Sequence, residues 1–177
     1  MGRKPTITRD RLLDLAEELV REQGGSALTI GGLASAAGIS KGGVQYSFTS
    51  RDDLVRSLVA RWTTRFNEML DDAAIGDPIG FIRRYIAATR TSQQAMDAKT
   101  AGLMVGYLGN PKHLRETREW YRGIFDRLAG VSPDAQVARV AFMAVEGLFL
   151  LRINGVDEDG TWANLLDDVD AVLARLT

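Results

Sequence analysis

The chain has 177 residues, 45% hydrophobic and 25% charged, with a formal net charge of −1; this is an ordinary globular composition that excludes a disordered, fibrous or polycationic chain. It has no cysteine and one histidine, His113, which leaves no disulfide framework, Cys–His pair or His/Cys metal cluster. No apolar run approaches the roughly 18 residues of a membrane span. The start, MGRKPTITRDRLLDLAEE, lacks the apolar core of a secretion signal, so a cytoplasmic chain without cofactor is expected.

Helical signals recur in chain order and strand signals are nearly absent. Thr8 caps a first helix whose Leu12, Leu15, Ala16 and Leu19 share one face, and Gly24-Gly25 stops it. Thr29 caps a short second helix with Leu33 and Ala34, ending at Gly38. Ser40 opens a third. Ser50 with Asp53 resembles a capping box for a long fourth helix striped by Leu54, Leu58, Trp62, Phe66 and Met69. Asp77-Pro78, Asn110-Pro111 and Ser132-Pro133 each pair a cap with a proline at the first helical position. They predict helices near 78–92, 111–129 and 133–153, with another near 94–108. A last helix from about Thr161 aligns Trp162, Leu165, Leu166, Val169, Leu173 and Leu176. The expectation is an all-α chain of about nine helices.

The third helix poses a question, because SKGGVQYSF places Gly42 and Gly43 in its first turn, each costing about 1 kcal/mol of helix propensity against alanine. Together with the second helix and the turn Ala37-Gly38-Ile39, it reads as a helix-turn-helix cored by Leu33, Ala34, Ile39, Val44 and Phe48. In such a motif the second helix enters the major groove of DNA. Glycines at its head let the backbone approach, and its free N–H groups suit phosphate.

The stretch LTIGGLASAAGISKGGVQYSFTSRDDLV resembles the DNA-binding segment of the TetR (tetracycline-repressor) family. It supplies Leu28-Thr29, Leu33-Ala34, Ala37-Gly38-Ile39-Ser40, Lys41-Gly42, Tyr46, Phe48 and Arg51-Asp52-Asp53-Leu54. The resemblance implies a DNA-binding domain over 1–50 and a helical ligand-binding and dimerisation domain over 51–177. Thr29, Ser40, Lys41, Gly42, Gly43, Gln45, Tyr46 and Arg51 are the candidate DNA contacts. Arg51, unfavourable in the first turn of its helix, is expected to bind phosphate. Gly43 and Gln45 depart from the family pattern, which often has Thr or Ser and an aromatic residue there. Gln45 can pair with adenine or bond a phosphate.

Charge is lopsided. Arg3, Lys4, Arg9, Arg11, Lys41, Arg51 and Arg56 fall in the first third, whereas Asp157, Glu158, Asp159, Asp167, Asp168 and Asp170 crowd the end. One end is expected to face a polyanion. Further along, Trp62, Phe66, Tyr85, Met96, Met104, Tyr107, Trp120, Tyr121, Phe125, Met143 and Phe149 are core or pocket residues by type, and as a set they favour a ligand pocket. Glu146 lies in a helix apolar on nearly every face, so it needs Arg83, Arg90 or a cationic ligand as partner. The same helix must be covered twice over. Phe142, Val145, Phe149, Val169 and Leu173 are the expected dimer contacts, with Met143 and Glu146 turned to the pocket. His113 is expected at the surface, and no phosphate loop or nucleophile elbow argues for an enzyme.

Three readings follow. The first is a homodimeric repressor released from a palindromic operator by a small lipophilic ligand, cations included, and controlling an efflux gene by analogy with relatives. The second is a regulator of the same fold governed by a protein partner or by no ligand. The third is a helical interaction module without specific DNA binding.

Overall fold

The computed structural model describes residues 7–70, 76–95, 97–157 and 161–176, the side chains of 93–95 and 163 excepted. Among the described residues there are nine α-helices and no strand. None of those helices is long and apolar enough to cross a membrane. The chain divides into two compact units, Met1–Trp62 and Thr63–Thr177.

The first unit holds α1 (Arg9–Gln23), α2 (Ile30–Ala37), α3 (Lys41–Gln45) and the larger part of α4 (Arg51–Glu68). The residues 51–62, assigned by sequence to the second domain, belong here for a packing reason. Leu54, Val55, Leu58 and Val59 are buried, and Ser57 and Arg61 are tied to α1 by Arg9 and by Asp14. Local caps match the sequence reading. Thr8, Thr29 and Ser40 each accept a backbone N–H three residues on. Gly38 adopts the left-handed conformation (φ 63°) that ends α2 and makes the tight turn possible. Gly32 is needed for a different reason, since a Cβ there would collide with the Ala27 carbonyl oxygen. The box at α4 closes one residue early. Ser50 accepts from Asp53 N–H, while the Asp53 carboxylate accepts both the N–H and the hydroxyl of Thr49. The Thr49 backbone bond, foremost, holds the Asp53 carboxyl below its usual range.

The second unit contains the end of α4, then α5 (Pro78–Ala95), α6 (Ala98–Leu108), α7 (Leu114–Arg127), α8 (Pro133–Ile153), a 3-10 turn (Thr161–Asn164) and α9 (Leu165–Leu176). Helices α5, α8 and α9 pack on one another, and α6 packs on α8. Their core includes Phe81, Ile82, Ile86, Phe142, Val145 and Leu173. Two helix starts differ from expectation. Helix α6 begins after Asp97, whose carboxylate caps Thr100 N–H at 2.8 Å. Helix α7 begins three residues after Pro111, because Asn110 spends its carbonyl and side-chain oxygens on a separate turn with His113 and Lys112. His113, expected at the surface, is buried and stacks on Tyr107 at 4.2 Å between ring centroids. The amphipathic spacing around it spans a turn rather than a helix, which hides its inward orientation.

Candidate functional site

The exposed face of the first unit is built on α3. Ser40 fixes the start of the helix, Val44 and Phe48 anchor it in the core, and the chain between them is turned outward. Tyr46 is 92% exposed, and Lys41, Gly42, Gly43 and Gln45 are exposed with it. The basic residues near this face are mostly committed to the fold. The Arg9 guanidinium lies 4.9 Å over the Phe48 ring and donates to Ser57. Arg11 pairs with Asp14, and Arg56 with Asp53. Arg51 donates through Nε to the Leu28 carbonyl at 2.9 Å and through Nη2 to the Gly25 carbonyl at 2.8 Å. It ties down the loop between α1 and α2, a structural role that the sequence did not suggest. Lys41 has no ion-pair partner among the described residues. Arg3, Lys4, Glu158, Asp159 and Met96 lie outside the described residues.

The second unit centres on a carboxylate in an aromatic surround. Glu146 of α8 is 8% exposed. Tyr85 of α5 donates its hydroxyl to Oε1 at 2.5 Å, and Tyr121 of α7 donates its hydroxyl to Oε2. Burial pushes the Glu146 carboxyl above its usual range, and the two phenol donors act the other way. Burial and the facing carboxylate raise both phenols. Phe66, Phe142 and Trp120 stand edge-on or tilted against these tyrosines, with centroids 5.0 to 6.5 Å apart. Tyr121 also lines a solvent-open groove of about 490 Å³ along α7 with Leu114, Thr117, Arg118, Arg122 and Phe125. Neither Arg118 nor Arg122 has an ion-pair partner among the described residues.

Two family models match this chain: one described as "Bacterial regulatory proteins, tetR family" over residues 12–58, and one described as "Tetracyclin repressor-like, C-terminal domain" over residues 80–176. The chain belongs to the TetR family. It is a DNA-binding transcription regulator with an N-terminal helix-turn-helix and a helical C-terminal domain. No curated protein sequence matches it. Among solved structures, the fatty acid degradation regulator FadR from Bacillus halodurans shares the fold, with a TM-score of 0.62 at 18% identity over 98% of this chain and 96% of that one.

In this TetR-family chain the expected pocket residues separate. Phe66, Tyr85, Tyr121 and Glu146 come together, and Phe125 joins them at the groove through its edge contact with Phe142. Trp62 does not join, since it lies in the first unit and donates its indole N–H to Glu17 at 2.5 Å. Tyr107 bonds Glu116 and stacks on His113 at the corner between α6 and α7, and Met104 is half-buried on α6. Met143 is 59% exposed rather than turned inward.

The expected dimer contacts are corrected most. Phe142, Val145 and Leu173 are fully buried in their own chain and have no surface for a partner. Phe149 and Val169 are half-buried. The exposed apolar stripe of α8 is instead Val140, Met143, Leu150 and Leu151, and that of α9 is Leu165, Val172 and Leu176. Helix α8 is apolar all round, so its sequence carries no phase from which to tell the inner face. Glu146 also escaped prediction in its partners. Arg90 pairs with Asp167 and Asp170 of α9, and two phenols from α5 and α7 serve the carboxylate. Cross-helix pairs of that kind have no fixed sequence spacing.

Proposed function

We propose that the chain is a homodimeric, effector-responsive repressor that works in the cytoplasm by binding rather than catalysis. The observation that carries the effector reading is Tyr121, one side chain shared by an apolar groove and a buried carboxylate. A molecule seated on Leu114 and Phe125 would press on the ring whose hydroxyl holds Glu146, and Glu146 also holds Tyr85 of α5. The cationic ligand foreseen for Glu146 loses its ground, because both carboxylate oxygens already accept hydrogen bonds. Arg118 and Arg122 at the groove, without ion-pair partners among the described residues, favour a lipophilic acid instead. Control of an efflux gene remains an analogy with relatives. Dimerisation is supported by the exposed apolar residues of α8 (Val140, Met143, Leu150 and Leu151) and of α9 (Leu165, Val172 and Leu176), which lie at helical spacings of about one or two turns.

A second reading, control by a partner protein or by no ligand, has one observation in its favour. The aromatic rings around Glu146 pack on one another as a core. The test is protection of the palindrome beside the chain's own gene, measured with and without medium- and long-chain carboxylic acids. The proposal expects a dimer in sedimentation, protection that weakens with salt, and release by one class of acid. A dimer whose protection and melting temperature no acid moves would favour the second reading.

A further inference from the structure

Resting on that DNA-binding reading, we infer that this regulator reads its operator directly at one base pair per half-site, through Gln45, and selects the rest by the shape and deformability of the duplex. Helix α3 has five residues. Val44 is buried in the core, and Gly42 and Gly43 have no side chain with which to reach a base. Lys41 does not stand off the helix. Its Cε and Nζ lie 3.2 and 3.7 Å from where a Gly31 Cβ would be, so the side chain runs along the first turn of α2. There the ammonium has no carboxylate paired to it among the described residues, a setting that suits a sequence-blind phosphate.

Four hydroxyls around α3 already serve local hydrogen bonds. Thr29, Ser40 and Ser50 accept cap bonds, and Thr49 donates to Asp53. Tyr46 offers a single hydroxyl, a group that serves phosphate rather than a base edge. Within α3, only the Gln45 amide presents a donor and an acceptor side by side, the pair that matches adenine N6 and N7 in the major groove.

The magnitudes support the division. One bidentate contact discriminates by about 5- to 140-fold. Two half-sites then give about 25- to 20,000-fold, at the low end of the ~10³–10⁷ by which specific binding exceeds non-specific binding. Deformation of the duplex supplies selectivity at positions that no side chain touches.

The test is selection from randomised duplexes with the full chain, followed by sequencing. The expected result is one strictly fixed A·T pair per half-site, symmetric about the centre, flanked by graded preferences for flexible or stiff steps. Gln45→Ala should free that pair, lower affinity for the best duplex about 25- to 20,000-fold because both half-sites lose the contact, keep the graded preferences, and leave binding to random duplex unchanged. Three or more strictly fixed pairs per half-site surviving in Gln45→Ala would overturn the inference while leaving DNA binding intact. Absence of salt-dependent binding to any duplex would remove the reading beneath it and the inference with it.

Discussion

Replacing Tyr85 with Phe removes one hydroxyl and leaves Glu146 Oε1 without a donor in a site that is 8% exposed. A hydrogen bond to a charged group contributes about 1.5–3 kcal/mol, and a neutral one about 0.5–1.5 kcal/mol. Which figure applies depends on the proton. Burial lifts the folded carboxyl above the ordinary glutamate value of 4.5, so its contribution to stability is present below that value and is lost as the pH rises through the raised one. Above that raised value the carboxylate is charged and Tyr85→Phe should cost about 1.5–3 kcal/mol, or about 3–12 °C in Tm for a chain of this size. Well below it the group is protonated and the cost should fall to about 0.5–1.5 kcal/mol. In the Glu146→Gln background the lower figure should hold at both pH values. Calorimetry of the four proteins at two pH values measures all of this. A Tyr85→Phe loss of equal size at both pH values, unchanged by Glu146→Gln, would refute a charged carboxylate held by phenols.

Arg51→Ala should cost about 1–2 kcal/mol in urea unfolding, because two carbonyls of the α1–α2 loop lose an exposed donor. The salt slope of DNA binding should stay fixed, whereas a lost phosphate contact would lower it by about 1. Val140→Glu combined with Leu150→Glu should yield folded monomers in sedimentation. Val145→Glu, aimed at a fully buried site, should unfold the chain by circular dichroism instead. Asp53→Ala should cost about 1 kcal/mol at pH 7 as a lost cap. Since the folded carboxyl is held below 3.8, the wild type should lose that advantage as the pH falls through its lowered value, and the two melting curves should converge in acid.

Much of the fold was legible because caps are local. Thr8, Thr29, Ser40, Asp77 and Ser132 announce their helices within three residues, and each bonds the N–H that the pattern requires. Asn110-Pro111 carries the same signature yet closes a turn, since nothing local decides whether the chain continues into a helix after it. The outward residues of α3 were legible for a similar reason. Val44 and Phe48 fix the inner face of a short segment, and Lys41, Gln45 and Tyr46 follow outward. The structural role of Arg51 was hidden because its carbonyl acceptors lie 23 and 26 residues back. The inner face of α8 and the donors to Glu146 depend on packing between α5, α7 and α8. Residues such as Phe142 and Met143 differ in environment but not in type.

The placement of the tryptophans has a practical consequence. Trp62 sits in the first unit with its indole bonded to Glu17, and Trp120 sits in the second, bonded to Asn67 and 5.0 Å from Tyr121 of the groove. Trp162, the last of the three, is 40% exposed. Each unit thus contains its own fluorophore in a defined, polarised setting. With Trp162 changed to Phe, emission from Trp62→Phe and Trp120→Phe variants would follow the two units one at a time. A compound settling beside Tyr121 would alter the colour and lifetime of Trp120 directly. Any change in Trp62 would then time the arrival of the signal at the DNA-binding unit, with no label attached.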